Sequence, residues 1–377
     1  MTIKQAIKKR TKFSVLILIV VLIIAGLVID NLASSSPTRS LTYGLALGYT
    51  LPTMNQQGRV KELSKIKGLG FNEVRFDLDW SVIQPKNNNT YNWTLFDQIM
   101  RNVKDSGLKS VVTLDRTPVW ARPATCKYSI FCAPAQSSNF AKFAAAAVKR
   151  YQGYGVNAWE IWNEPNIVNF WKPEPNPSQY AQLIRASYVA IKRQNPGAIV
   201  LVGGLAGNAD NAGVSYIDPR TFLDRLYSDK TKDYFNGVAY HPYSSLRLPQ
   251  NIGPYNGWSK MYLTSPSIRS IMVANGDQDK ELWITEFGVP TNGPGAEVTN
   301  PALPLPPRAD HVSPAAQAQI ALQGINDAQK MKWIKDLDWF TYIDGGTARN
   351  TPENFYGLFQ HDGKPKPAYF VLQRAFK

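Results

Sequence analysis

The sequence predicts a (β/α)8 barrel, and three observations predict it. Short apolar runs alternate with helical stretches eight times over about 330 residues, which points to parallel strand pairing. Loops rich in Gly, Pro or Asn separate them. No Gly-x-Gly-x-x-Gly follows the first run, so the nucleotide-binding form of the rival architecture, a doubly wound open sheet, has no support.

Taken in order, "LTYGLALGY" (41–49) reads as the first strand, followed by a helix around Gly58 to Lys67 that ends at Gly68. "NEVRFDLDW" (72–80) reads as the second strand, and its helix, Thr94 to Ser106, stops at Gly107. The series continues with "LKSVVTLDR" (108–116), "NAWEIWN" (157–163), "AIVLVGG" (198–204), "FNGVAYH" (235–241), "ELWITEFG" (281–288) and "LDWFTYI" (337–343). Helical patterns fall between them near 138–151, 178–194, 219–228, 266–275 and 314–332. Two loops after strands are enlarged, Ser244 to Ser267 and the Pro-rich Thr291 to Ser313. In a barrel, both lie on the face where ligands bind.

A chain of 377 residues can bury one large core, and 44% hydrophobic with 19% charged residues is a globular composition. The 12% aromatic share, with ten tryptophans, supplies rings for flat apolar ligands such as sugars.

The N-terminus reads separately. Lys4, Lys8, Lys9, Arg10 and Lys12 form a basic tail (1–12) before the apolar stretch Phe13 to Ile29. As a helix that stretch spans about 26 Å, near the hydrocarbon thickness of a bilayer. We expect an uncleaved transmembrane signal anchor over 13–29 with its tail in the cytoplasm. A linker (30–40) then leads to a single (β/α)8 domain, 41–377, outside the cell or in the periplasm. Cleavage near Ala33 and Ser34 would instead release a secreted domain.

Removing the five tail charges from the formal +14 leaves +9, which suits a surface beside anionic lipid or wall polymer. No dense Lys/Arg run with interleaved aromatics follows residue 40, so nucleic acid is not an expected partner. Cys126 and Cys132 are the only cysteines, and in an oxidising exterior they are expected to form a small-loop disulfide. Their spacing from His241, His311 and His361 forms no metal-ligand pattern, so no metal or cofactor is expected.

Glu164 follows the fourth strand in "WEIWNEPN", and Glu286 closes the seventh in "WITEFG". On a barrel, both project from the C-terminal rim towards one pocket. Cleavage of a glycosidic bond needs such a pair: one carboxyl protonates the leaving oxygen, and the other attacks the anomeric carbon or activates water. Arg75 on the second strand could supply positive charge beside an ionised Glu286. Asn163 could offer an amide to a sugar hydroxyl, and His241 and Tyr243 in "YHPY" could hold the nucleophile's oxygen. Trp80, Trp120, Trp162, Trp171 and Trp258 lie at strand ends or in the following loops, where they could be stacking platforms.

The bland readings compete. A lone glutamate at a strand end is usually solvated, an isolated Arg75 is more often a salt-bridge member, and a tryptophan is more often packing. Asp77, Asp79, Asp115, Asp344 and Glu160 are further acids in or near strand ends that periodicity does not exclude.

Together, "WEIWNEPN" and "WITEFG" resemble the acid/base and nucleophile motifs of retaining glycoside hydrolases of the large (β/α)8 clan that includes cellulases, β-xylosidases and β-glucuronidases. "VRFDLDWSVIQP", "HPY" and the closing "GLFQHDGKPKPAY" also match, and the likeness covers about residues 43 to 372. Within the clan it looks most like family 39 and neighbouring cellulase-like proteins. The resemblance implies Glu164 as acid/base, Glu286 as nucleophile, Asn163 as ligand of the 2-hydroxyl, Arg75 and Tyr243 as groups orienting the nucleophile, and His241 in support. The clan often keeps a sugar-stacking tryptophan at the end of the last strand; here that place falls nearer Tyr342 or Asp344 than Trp339. The expected function is a monomeric retaining β-glycosidase acting on a polysaccharide or oligosaccharide. The alternative is a membrane-tethered carbohydrate-binding protein on a catalytically silent barrel.

Overall fold

The computed structural model describes residues 41–87, 89–207 and 215–375. The expected basic tail, signal anchor and linker, 1–40, lie outside the described residues. Among the described residues no helix is long and apolar enough to cross a membrane.

Eight parallel strands close a barrel: β1 (Thr42–Gly48), β2 (Glu73–Asp79), β3 (Lys109–Asp115), β4 (Val156–Asn163), β5 (Val200–Ala206), β6 (Gly237–His241), β7 (Glu281–Phe287) and β10 (Ile334–Phe340). Each pairs with its neighbours in sequence order, and β10 closes the ring by pairing with both β7 and β1. Helices over Gln56–Gly68, Thr94–Asp105, Ser137–Tyr151, Pro177–Gln194, Pro219–Ser228, Ile268–Ala274 and Pro314–Lys330 form the crossovers.

The helix starts follow from local chemistry. Asn176, Asp218 and Ser313 each precede a proline, and each side chain accepts from a backbone N–H of the first turn. The proline fixes φ where no N–H is needed, and the polar cap satisfies one donor the helix leaves open. The helix Thr94–Asp105 buries Phe96, Ile99, Met100 and Val103, the i, i+3, i+4, i+7 stripe of an amphipathic helix. Past its end, Gly107 takes φ +70, a left-handed position that glycine adopts without steric cost.

Strand alternation divides the interior into two cores. In β2, Val74, Phe76 and Leu78 join the large cluster between sheet and helices. Glu73, Arg75, Asp77 and Asp79 occupy the alternate positions, also buried. Inside the barrel the apolar cluster is small, comprising Val111, Ala158, Leu201, Ala239 and Trp283. Charged groups take the rest of that volume.

Three features depart from the expected pattern. The Pro-rich loop carries a two-stranded ribbon, β8 (Ala296–Val298) with β9 (Ala309–Val312). The loop after β6 contains a helical turn, Ser259–Leu263. A helix at Pro367–Ala375 packs on the one at Pro314–Lys330. The two enlarged loops also meet, where the Leu248 N–H donates to the Pro301 carbonyl.

Candidate active site

Glu164 and Glu286 converge at the C-terminal end of the barrel, although 122 residues separate them in sequence. A carboxylate oxygen of each and a ring nitrogen of His241 all lie within 4.8 Å of one another. The chain leaves β4 through two left-handed residues, Trp162 (φ 73) and Glu164 (φ 42), on either side of Asn163. Consecutive side chains of a regular strand point to opposite faces. Here both Asn163 and Glu164 reach the site, at a conformational cost of about 1–3 kcal/mol for each left-handed residue.

Both oxygens of Glu286 are held. Arg75 Nη1 donates to Oε1 at 2.6 Å, and the Tyr243 hydroxyl donates to Oε2 at 2.6 Å. Arg75 also donates through Nη2 to Asn163 Oδ1 (2.7 Å) and through Nε to Glu160 Oε2 (2.6 Å). With its carbonyl oxygen so occupied, Asn163 has its NH2 to offer a ligand. His241 Nδ1 lies 2.9 Å from Glu164 Oε1 and 3.6 Å from Glu286 Oε2.

The surroundings separate the two acids. Burial raises the pKa of Glu164, and the negative charge of Glu286 adds to it against the lowering influence of His241. Burial pushes Glu286 the same way, but His241, Arg75 and the Tyr243 hydrogen bond outweigh it, and its pKa ends below the ordinary value. Burial works against the protonated His241 ring, yet the two glutamates raise its pKa. Two carboxyls driven apart in this way suit acid and nucleophile roles.

The other acids in or near strand ends are engaged elsewhere. Asp77, Asp79 and Asp115 gather around Arg116, which donates to Asp77 at 2.7 Å and lies 4.0 Å from the Tyr49 ring centroid. Asp344 pairs with the buried Lys366 at 2.6 Å. Glu160 lies wholly inside the barrel.

Four of the five tryptophans expected as possible platforms are corrected. Trp80 is fully buried, donates to Gln84 Oε1 and stacks on Phe143. Trp171 is fully buried between Trp162 and Tyr180. Trp162 and Trp258, the other candidate platforms, are equally enclosed. These rings fill space where helices and loops pack on the sheet, as large aromatic surfaces are driven to do. Trp120 remains partly exposed, leaning edge-on against Trp80 with Nε1 donating to the Gln84 carbonyl. At the end of the last barrel strand, Trp339, Tyr342 and Asp344 are all buried. The partly open rings there are Phe340 and Tyr356, and Tyr356 packs edge-on to Tyr243.

Sequence reasoning missed Tyr356 and Thr285. Tyr356 follows the last strand without a motif, whereas Thr285 could have been noticed as the residue before Glu286. The Cys126–Cys132 disulfide is present and ties the loop after β3. Sequence spacing gave no metal set, but among the described residues the fold brings two groups of three ligand-type residues together: Glu164, His241 and Glu286, and Glu73, Asp336 and Asp338. Sets assembled across strands leave no spacing signal. In the first group, the Arg75 guanidinium supplies positive charge beside Glu286.

A closed (β/α)8 barrel with a carboxyl pair at its C-terminal mouth is an arrangement that glycoside hydrolases use. Residues 42–303 match the family described as Cellulase (glycosyl hydrolase family 5), and the chain belongs to that family. The resemblance to family 39 and neighbouring cellulase-like proteins agrees with this, and fold likeness extends to family 39. A family 39 glycoside hydrolase from Bacteroides cellulosilyticus superposes with a TM-score of 0.68 at 21% identity, covering 89% of this chain and 63% of that one. A monomeric β-xylosidase from Caulobacter crescentus gives 0.63 at 17%, covering 88% and 67%. A GH5_18 protein from Streptomyces cattleya in complex with GlcNAc gives 0.61 at 17%, covering 89% and 80%. At these identities the likeness is one of fold. In sequence, a β-xylosidase from Geobacillus stearothermophilus is 37% identical over 103 residues, a match covering 23% of this chain and 20% of that protein.

Proposed function

We propose that the chain is a retaining β-glycosidase acting on a β-linked polysaccharide at or outside the cell envelope. One observation carries the reading: two largely enclosed carboxyls at the barrel mouth with an oxygen of each within 4.8 Å of the other, whose proton affinities are displaced in opposite directions. Retaining enzymes hold their carboxyl groups about 5–5.5 Å apart and inverting enzymes about 6.5–9.5 Å. The close pair favours retention.

Glu286, ionised, attacks the anomeric carbon while Glu164 gives its proton to the departing oxygen, leaving a glycosyl ester on Glu286. Glu164, now a carboxylate, takes a proton from water as that water attacks the same carbon, and Glu286 is released. Arg75 and Tyr243 steady the charge on Glu286 in both steps. The Asn163 NH2 serves the 2-hydroxyl, and Trp120, Phe340 and Tyr356 are the partly open rings for stacking. The disulfide suits an oxidising compartment, which fits a monomeric domain tethered outside the membrane by residues 13–29. The partial likeness to a β-xylosidase is a reason to try β-xylosides early.

The test measures reducing-end release from a panel of β-linked polysaccharides, beside Glu164→Gln and Glu286→Gln, with the anomer of the first product read by NMR. The parent cuts one polymer and releases the β-anomer. Glu164→Gln loses about 10²–10⁴-fold, the usual contribution of general acid–base catalysis, and Glu286→Gln loses more. In the parent, kcat/KM is bell-shaped in pH. The acid limb is set by the lowered pKa of Glu286 and the alkaline limb by the raised pKa of Glu164. Release of the α-anomer overturns retention. Activity surviving both substitutions moves the site elsewhere, and binding of a polymer without cleavage by the parent favours the silent barrel.

A further inference from the structure

Glu160 touches neither the pocket nor solvent, yet it meets groups from four other strands. Its Oε2 accepts from Arg75 Nε of β2 (2.6 Å) and from the Thr113 hydroxyl of β3 (3.1 Å). Its Oε1 accepts from the Gly204 N–H of β5 and, at a long 3.5 Å, from the Thr285 hydroxyl of β7. The Thr285 oxygen lies 3.1 Å from His241 Nε2, and His241 Nδ1 lies 2.9 Å from Glu164 Oε1.

One assignment of the hydrogens along this line engages Glu160, Thr285, His241 and Glu164 together. The Thr285 hydroxyl has a single hydrogen; pointed at the Glu160 carboxylate, it leaves the oxygen to accept from His241 Nε2–H. A histidine carrying its hydrogen on Nε2 turns the other nitrogen to Glu164, so Nδ1 and Glu164 share one proton between them. On its other side, Glu160 anchors the guanidinium that holds Glu286.

We propose that Glu160 is the positioning residue that assigns the site its roles, holding a proton on the Glu164–His241 pair through Thr285 while fixing Arg75 against Glu286. The inference rests on the acid/base and nucleophile assignment above.

The packing is built for this contact. A Cβ added at Gly204 would lie 2.1 Å from His241 Nε2 and 2.7 Å from Glu160 Oε1, so only glycine lets β5 pass between them. The other ionisable groups acting on this cluster are Arg75 and Asp77 from β2, Glu164 just after β4, Glu286 from β7, Asp338 from β10, Tyr243 from the loop after β6 and Tyr356 after β10.

The test uses Glu160→Gln, Thr285→Val and Thr285→Ser beside Glu164→Gln, on the panel polymer the parent cuts. Each variant is checked for its fold by circular dichroism. Glu160→Gln is expected to lose about 10- to 100-fold, the usual effect of removing a buried partner that orients a functional group. The loss falls on kcat, with KM nearly unchanged, because Glu160 cannot reach substrate. The alkaline limb of the pH profile moves down by about one unit as the proton on Glu164 is held less tightly. Thr285→Val, which keeps the Glu160–Arg75 contact, moves that limb the same way, and Thr285→Ser restores the parental profile.

An alkaline limb unmoved in both Glu160→Gln and Thr285→Val, with Glu164→Gln inactive, overturns this inference and leaves the acid/base assignment standing. Full activity in Glu164→Gln overturns the assignment itself. If Glu160→Gln does not fold, the Thr285 pair decides alone.

Discussion

The hydrogen on the Tyr243 phenol is spent on Glu286. Burial and the neighbouring carboxylate hold the Tyr243 pKa well above its ordinary value, so the group remains a donor across the working range of the protein. Removing the hydroxyl in Tyr243→Phe takes away one of the influences that lower the pKa of Glu286. The acid limb of kcat/KM is therefore expected to move to higher pH. A hydrogen bond to a charged group is worth about 1.5–3 kcal/mol, so kcat/KM falls roughly tenfold or more, read by initial rates from pH 3 to 9. At this scale the sequence was informative about which side chains meet where a residue type and a strand end coincided, as for Glu164, Glu286 and Tyr243. It was uninformative about Trp80 and Trp171, because a tryptophan after a strand looks the same whether its ring faces a cleft or fills a seam. Glu160 showed as an acid in a strand, but its meaning depends on partners from β2, β3, β5 and β7.

Strands β1 and β10 meet at a point where glycine is required for space. A Cβ at Gly44 would come 1.8 Å from Asp338 Oδ1, inside any permitted contact, and 3.1 Å from the Glu73 carbonyl. Gly44→Ala must displace the Asp338 side chain within the barrel. The expected loss is about 1–3 kcal/mol, typical of overpacking, seen as a lower urea midpoint with an unchanged slope. All eight barrel strands were legible as apolar or alternating runs, because a parallel strand carries that pattern whatever its neighbours. The ribbon β8–β9 was not, since three- and four-residue strands inside a proline-rich loop have too few positions to show a period. The helix at Pro367–Ala375 was missed because only Ala368 and Leu372 are buried, one contact per turn.

Across the whole molecule, the barrel stores carboxyl groups away from water. Burial, only partly offset by Asn157 and nearby lysines, raises Glu73 to about 7 from 4.5, and burial with mutual repulsion raises Asp336 and Asp338 well above 3.8. A raised carboxyl stabilises the fold below its unfolded pKa and loses that contribution as pH climbs through the folded value. The melting temperature is therefore expected to decline from about pH 5 through pH 8. Asp338→Asn, measured by calorimetry over that range, should flatten the decline. Equal slopes in parent and variant would show that the trio is not its source. None of this was legible beforehand, because acids at alternate strand positions give no sign that they face one another across a closed sheet.

The contact between the loops after β6 and β7, Leu248 against Pro301, has a bearing on how such a protein changes over generations. Two segments that brace each other at the barrel mouth cannot be exchanged independently. A lineage that remodels one inherits a mismatch in the other, so changes here should arrive as paired replacements rather than as drift along a single segment.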